Sequence, residues 1–190
     1  MSQTLSSLCV YCGSSLGARP EYAQLARQVG AELAQQGRRL VYGGGRAGLM
    51  GVLADAAMAA GGEVIGVMPE PLMVRELGHR GITTLHVVRD MHERKYRMAE
   101  LAQGFIALPG GWGTLEELSE MVTWSQLGLH QKPVGLLNTA GYFDGLLEFI
   151  THMISERFVG EAQRDLILVD SDPSRLLERL DASALAAAGR

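Results

Sequence analysis

The stretch GFIALPGGWGTLEE, Gly104 to Glu117, decides the fold. Gly104 to Leu108 is a short, continuously apolar run, the pattern of a strand buried on both faces of a parallel sheet, and Pro109 ends its ladder. Gly110, Gly111 and Gly113 lack a Cβ, so the backbone can turn sharply there and approach a ligand. Thr114 is placed to cap the helix that follows or to bond a ligand oxygen. Glu116 and Glu117 read as first-turn acids, after which Leu118, Met121, Val122 and Leu127 recur at helical spacing. A strand that runs through glycines into a helix aims free N–H groups and the positive end of the helix dipole at one point, where a phosphate binds.

The same alternation extends in both directions. Leu8 to Cys12 reads as a first strand ending at Gly13-Ser14-Ser15, followed by an amphipathic helix from Pro20 to Gln36 with proline at a favoured first-turn position. Arg39 to Tyr42 is a second strand, and its glycine loop opens a helix through Leu49, Leu53, Ala57 and Ala60. Glu63 to Met68 is a third. A longer connection from Pro69 to Gly81, with one helical turn around Met73 to Leu77, leads to a strand at Thr84 to Val88 and a helix from Met91 to Ala102. Beyond the Gly104 strand and its helix come strand Val134 to Leu137, helix Tyr142 to Phe158, strand Leu166 to Val169 and a last helix after Pro173, with Ala182 to Arg190 a frayed tail. With no linker between them, these elements predict a single domain over residues 1–190. Its architecture is α/β, a Rossmann-like doubly wound parallel sheet of about seven strands with helices on both faces. Such sheets bind ligands outside the carboxyl ends of the strands, where the strand order reverses. The loops at Ser14, at Gly43 to Gly45 and at Gly110 to Gly113 all leave carboxyl ends, so Ser14 and Gly44 are expected to line the crevice.

Composition narrows the class. A chain of 190 residues with 47% hydrophobic residues and 24 glycines can bury a core without disulfide or metal staples, and its many turns fit an α/β protein. A formal net charge of −4 argues against nucleic acid or an anionic membrane as the main partner. The absence of a signal-like amino terminus and of any run of ~18 apolar residues predicts a cytoplasmic protein. Cys9 and Cys12 spell C-x-x-C, but residues three apart in a strand point to opposite faces, so they read as two ordinary thiols. The histidines show no metal-ligand spacing, so neither metal nor cofactor is expected.

Three motifs in order, Gly43-Gly-Gly-Arg-Ala-Gly-Leu-Met-Gly51, Met91-His-Glu-Arg-Lys95 and the PGGxGTxxE of Pro109 to Glu117, make the chain resemble the LOG family of cytokinin-activating phosphoribohydrolases over roughly Leu8 to Leu168. The resemblance implies a small-molecule nucleoside monophosphate as substrate: an N6-prenylated adenosine monophosphate, or AMP itself, is cleaved at the N-glycosidic bond to free base and ribose 5-phosphate. It implies Arg94 and Glu117 as catalytic residues. As substrate contacts it implies Glu76, Lys95, Gly111, Trp112, Gly113, Thr114, Leu115, Glu116 and Thr123, Trp112 covering the pocket. It also implies a homodimer with residues of both chains near the site, for which Met121, Trp124 and Leu127 offer a seam.

Each residue has a plainer reading beside this one. Gly43 to Gly48 also spells the G-x-G-x-x-G of dinucleotide folds, with Glu70 where a ribose-binding acid sits. It follows the second strand, however, so a mononucleotide-pocket wall or a structural turn competes with NAD use. Arg94, Lys95 and Arg97 read equally as a solvated basic helix face, and Glu76 as a surface-loop acid. Acids in a first helical turn are favoured in any case, and adjacent helical residues point ~100° apart, so only one of Glu116 and Glu117 faces a ribose. Members of the resembled family have long carried the label lysine decarboxylase. That chemistry needs a Schiff-base lysine, and the chain has only Lys95 and Lys132, the second at the wrong end of a strand. A non-catalytic nucleotide-binding module of the same fold remains the alternative to an enzyme.

Overall fold

The structure, a computed structural model, describes residues 4–73 and 78–189. Seven strands form one all-parallel sheet: β1 (Ser7–Tyr11), β2 (Arg39–Tyr42), β3 (Val64–Pro69), β4 (Thr84–Val88), β5 (Gly104–Ala107), β6 (Val134–Leu137) and β7 (Ile167–Asp170). Their order across the sheet is β4-β3-β2-β1-β5-β6-β7. The chain therefore winds outward from β1 in one direction and from β5 in the other. The order reverses between β1 and β5, where the loops leaving the two strands part and open a crevice.

Period-two alternation sorts the strand side chains onto two faces. Leu8 and Val10 of β1, with Leu40, Tyr42 and Ile106, pack under α1 (Pro20–Gln35), α2 (Gly48–Ala59) and α7 (Pro173–Ala188). Cys9 and Tyr11, with Val41, Val67, Phe105 and Leu136, pack under α4 (Met91–Leu101) and α5 (Trp112–Gln126). α6 (Asp144–Ser155) lies on the second face, and a one-turn α3 (Glu70–Met73) follows β3. Each large aliphatic side chain taken fully out of water favours this arrangement by about 1.5–3 kcal/mol. The two thiols fall as the strand period requires: both are free and buried, in opposite layers.

Three expectations change. The carboxyl-terminal segment is not frayed, for α7 runs to Ala188. Leu176, Leu177 and Leu180 are buried, and Asp181 takes a bidentate ion pair from Arg38 at 2.7 and 2.9 Å while accepting from the Leu5 N–H. Tyr142 does not begin the sixth helix; a 3-10 turn at Thr139–Gly141, with Ala140 at φ 54° and Gly141 at φ 70°, intervenes. Met121 is buried in this chain's own core and cannot face a partner, whereas Leu127 is exposed. The helical turn expected at Met73 to Leu77 falls mostly outside the described residues.

A candidate active site at the carboxyl ends of β1, β2 and β5

Backbone hydrogen bonds knit three loops over the reversal point. The Gly13 N–H donates to Pro109 O at 3.0 Å, and the Leu49 N–H donates to Gly13 O at 3.0 Å. Residues 13–17, Leu49, 109–111, Tyr22 and Tyr142 enclose a cavity of about 260 Å³, with Ser14 exposed on its wall. The first and third glycine loops thus meet as expected, joined by Leu49, whereas Gly43 to Gly45, Gly44 included, do not line this cavity.

α5 begins earlier than the sequence suggests. Gly111 is its N-cap, with no side-chain cap, and Trp112 is the first helical residue. Thr114 is therefore the third residue of the helix rather than its cap. It is buried, and its Oγ1 lies 2.0 Å from where a Cβ on residue 110 would sit, so only glycine fits at Gly110. The first intrahelical bond runs from the Leu115 N–H to Gly111 O. The amides of Trp112, Gly113 and Thr114 precede it, and no acceptor from another element meets them among the described residues. Those amides and the dipole end are free for an anion.

Starting the helix at Trp112 also moves Glu116 and Glu117 into its second turn, and the first turn holds no acid. Helix-dipole preference therefore does not account for the pair. Glu117 is 8% exposed, against the sheet, while Glu116 faces outward. Burial pushes the Glu117 carboxyl up to about 7, against the opposing pull of Arg94. A carboxyl balanced near neutrality in a buried position suits proton transfer.

Arg94 reaches that carboxylate from α4. Asp90 caps this helix by accepting the Glu93 N–H at 2.9 Å, which offsets the cost of cations near its start. The guanidinium threads between two strand ends, Nε donating to Val67 O and Nη2 to Gly43 O, both at 3.1 Å. Its remaining nitrogen, Nη1, stands 3.7 Å from Glu117 Oε1. A Cβ at Gly43 would lie 1.9 Å from Nη2, so the guanidinium occupies the space that any other residue there would fill. Lys95 is also buried, its ammonium held by Glu116 and, at 3.1 Å, by Glu120. A solvated basic face is thus excluded for this pair and holds only for Arg97, which pairs with Glu100 at 2.6 Å.

The remaining candidates fall in different places. Gly44 is buried at φ 74°, its carbonyl accepting the His79 N–H at 2.8 Å. Leu115 is half-buried, and Trp112 is 88% exposed beside the free amides. Thr123, six residues past Glu117, is turned ~120° around the helix and ~9 Å along it. It lines the groove between α5 and α6 and donates to Ser119 O at 2.7 Å, so the structure does not bring it to Glu117. Glu76 lies outside the described residues. Val67 and Glu120 were not singled out by sequence, and Gly43 was read only as part of a glycine loop, not as the seat of Arg94. The only available sign was that Arg94 and Lys95, if buried, needed acceptors. Among the described residues no cluster of three His, Cys, Asp or Glu side chains is placed to hold a metal. No described helix is long and apolar enough to cross a membrane.

Comparison with known proteins adds an independent line. The family model described as "Possible lysine decarboxylase" matches residues 50–180. A cytokinin riboside 5′-monophosphate phosphoribohydrolase of Arabidopsis thaliana is 48% identical over 174 residues, covering 92% of this chain and 80% of its own. Its namesake from Rhodococcoides fascians is 51% identical over 170 residues, covering 89% and 86%. Among solved structures, the molybdenum cofactor binding protein of Rippkaea orientalis superposes with a TM-score of 0.71 at 22% identity, over 96% of this chain and 98% of its own, a likeness of fold.

Proposed function

This chain belongs to the LOG family of cytokinin riboside 5′-monophosphate phosphoribohydrolases and has their activity, and on that premise we propose how its own residues carry the reaction. The observation that supports the assignment most is the buried Glu117 carboxylate facing Arg94, one helical turn beyond a set of free amides. The 5′-phosphate sits on the amides of Gly111 to Thr114. That anchor places the ribose along α5 toward Glu117.

In the reaction the bond between C1′ of the ribose and the base nitrogen breaks, its electron pair leaving with the base, which takes up a proton from solvent, and positive charge builds on the sugar ring. A carboxylate beside the anomeric carbon stabilises that charge. Glu117 holds the ribose hydroxyls and takes a proton from the attacking water as the new C1′–O bond forms. Arg94, fixed by two strand carbonyls, orients the nucleotide and balances charge at the reacting end. Lys95 and Glu116 contact the substrate's edge, and Trp112 covers the mouth of the pocket.

The decarboxylase description fits poorly with the two lysines. Lys132 donates to Ala99 O at 2.7 Å at the opposite end of the sheet, and Lys95 is paired with two carboxylates. Two reduced, buried thiols agree with a cytoplasmic setting. A homodimer is supported by the second face of the sheet: α6 is amphipathic yet has no fully buried residue, and Leu127, Leu129, Phe149 and Phe158 are exposed nearby. An apolar surface of this kind marks an interface.

Incubating the pure protein with AMP and with N6-isopentenyl-AMP, and separating the products by chromatography, tests the assignment. Free base and ribose 5-phosphate are expected in equal amounts. Binding of both nucleotides without release of base would make the chain a nucleotide-binding module.

A further inference from the structure

We propose that Tyr142 is a positioning residue for the substrate phosphate, acting through the carbonyl of Gly110. The proposal rests on the placement of the phosphate at the amides of Gly111 to Thr114. A loop serves as an anion site only if its carbonyl oxygens, which carry partial negative charge, are turned away and its N–H groups are turned in. In the Pro109-Gly110-Gly111 loop each of the first two carbonyls is held by a donor from a different part of the chain. Pro109 O accepts the Gly13 N–H at 3.0 Å, and Gly110 O accepts the Tyr142 hydroxyl. In a trans peptide the C=O and the following N–H point in opposite directions. Fixing Gly110 O therefore fixes the direction of the Gly111 N–H, the first donor of the set.

This tether matters because side-chain packing does not hold Gly111, the residue whose N–H it aims. Gly111 has no atom within 4 Å of the space a side chain would occupy. Tyr142, by contrast, is held firmly. Its ring meets Tyr22 edge-on at 5.4 Å and Phe143 at 4.9 Å. The turn before it is secured from three sides. Arg19 Nη1 donates to Ala140 O at 3.2 Å, the Phe143 N–H donates to Asn138 Oδ1 at 2.8 Å, and Asn138 Nδ2 donates to Asp144 Oδ1 at 2.7 Å. Through that turn, a residue 32 positions along the chain sets the orientation of the glycine loop.

Tyr142→Phe removes the hydroxyl and keeps the ring, so the packing survives. The test compares inhibition by ribose 5-phosphate, which carries the phosphate, with inhibition by adenine, which does not, alongside kcat/KM for AMP. Loss of one orienting hydrogen bond should weaken ribose 5-phosphate and lower kcat/KM for AMP by about five- to tenfold, leaving adenine within twofold. Unchanged ribose 5-phosphate inhibition, or an equal loss for adenine, would overturn the role of Tyr142. Wild-type protein that binds ribose as tightly as ribose 5-phosphate would overturn the phosphate placement itself, and the two failures are therefore distinguishable.

Discussion

Arg94 Nη1 stands 3.7 Å from Glu117 Oε1, close enough for strong attraction and too far for a direct hydrogen bond. The other guanidinium nitrogens are occupied by Gly43 O and Val67 O, so the group cannot close the gap without leaving a strand end. The carboxylate thus keeps its oxygens available to a ribose hydroxyl or a water while a positive charge remains beside it.

Glu117→Gln keeps the shape and removes the proton acceptor. A loss of roughly 10² to 10⁴ in kcat is expected, with Glu116→Gln losing far less. Because the carboxyl titrates at about 7 and its ionised form does the work, wild-type kcat/KM should fall as pH drops below about 7. Stability runs the other way. The folded state binds this proton more tightly than the unfolded one, so the group destabilises the fold increasingly as pH rises from its unfolded value near 4.5 through 7. Glu117→Gln should accordingly melt higher than wild type at pH 8, by on the order of 5 °C, and at the same temperature as wild type at pH 4. Thermal melts at the two pH values check the sign, and equal losses of activity in the two glutamine variants would mean that the roles are misassigned.

Gly43→Ala is expected to act on Arg94 alone. The new methyl would fall 1.9 Å from Nη2 and drive the guanidinium off both carbonyls. Activity should drop about as far as in Arg94→Ala, by roughly 10² or more, with an unchanged circular dichroism spectrum. Near-wild-type turnover in Gly43→Ala would show that the seat is dispensable.

Lys95→Met leaves Glu116 and Glu120 without their cation. Glu120 Oε2 is already buried without a partner, and both acids push the Glu117 carboxyl upward while Lys95 pulls it down. The acid limb of the kcat/KM profile should move to higher pH, and a second change, Glu120→Gln, should move it partly back. A profile that falls uniformly at all pH values would mark Lys95 as a binding contact alone.

Light scattering should find a dimer at micromolar concentration. Phe149→Asp and Leu127→Asp, on the exposed face beside the groove lined by Val122, Leu146 and Ile150, should shift it toward monomer. Two such variants that remain dimeric would place the interface elsewhere.

Sequence carried the fold far because the inner strands β1, β2, β3, β5 and β6 are buried on both faces. The apolar runs at Leu8, Arg39, Glu63 and Gly104 are therefore continuous, and the glycines and prolines between them mark where each ends. It located the strand-to-helix junction proposed as the anion site for the same local reason, since Pro109, Gly110 and Gly111 specify such a junction whoever their neighbours are. It misplaced Met121 on a seam, because a helical stripe records that a face is covered and not by what. It read Ala182 to Arg190 as frayed, because the grip of Arg38 on Asp181 spans 143 residues. The seating of Arg94 by Gly43 and Val67, the neutralisation of Glu120 by Lys95 and the hold of Tyr142 on Gly110 join residues far apart in the chain. Only the parallel sheet, by bringing the carboxyl ends of its strands to one edge, decided which donors and acceptors meet.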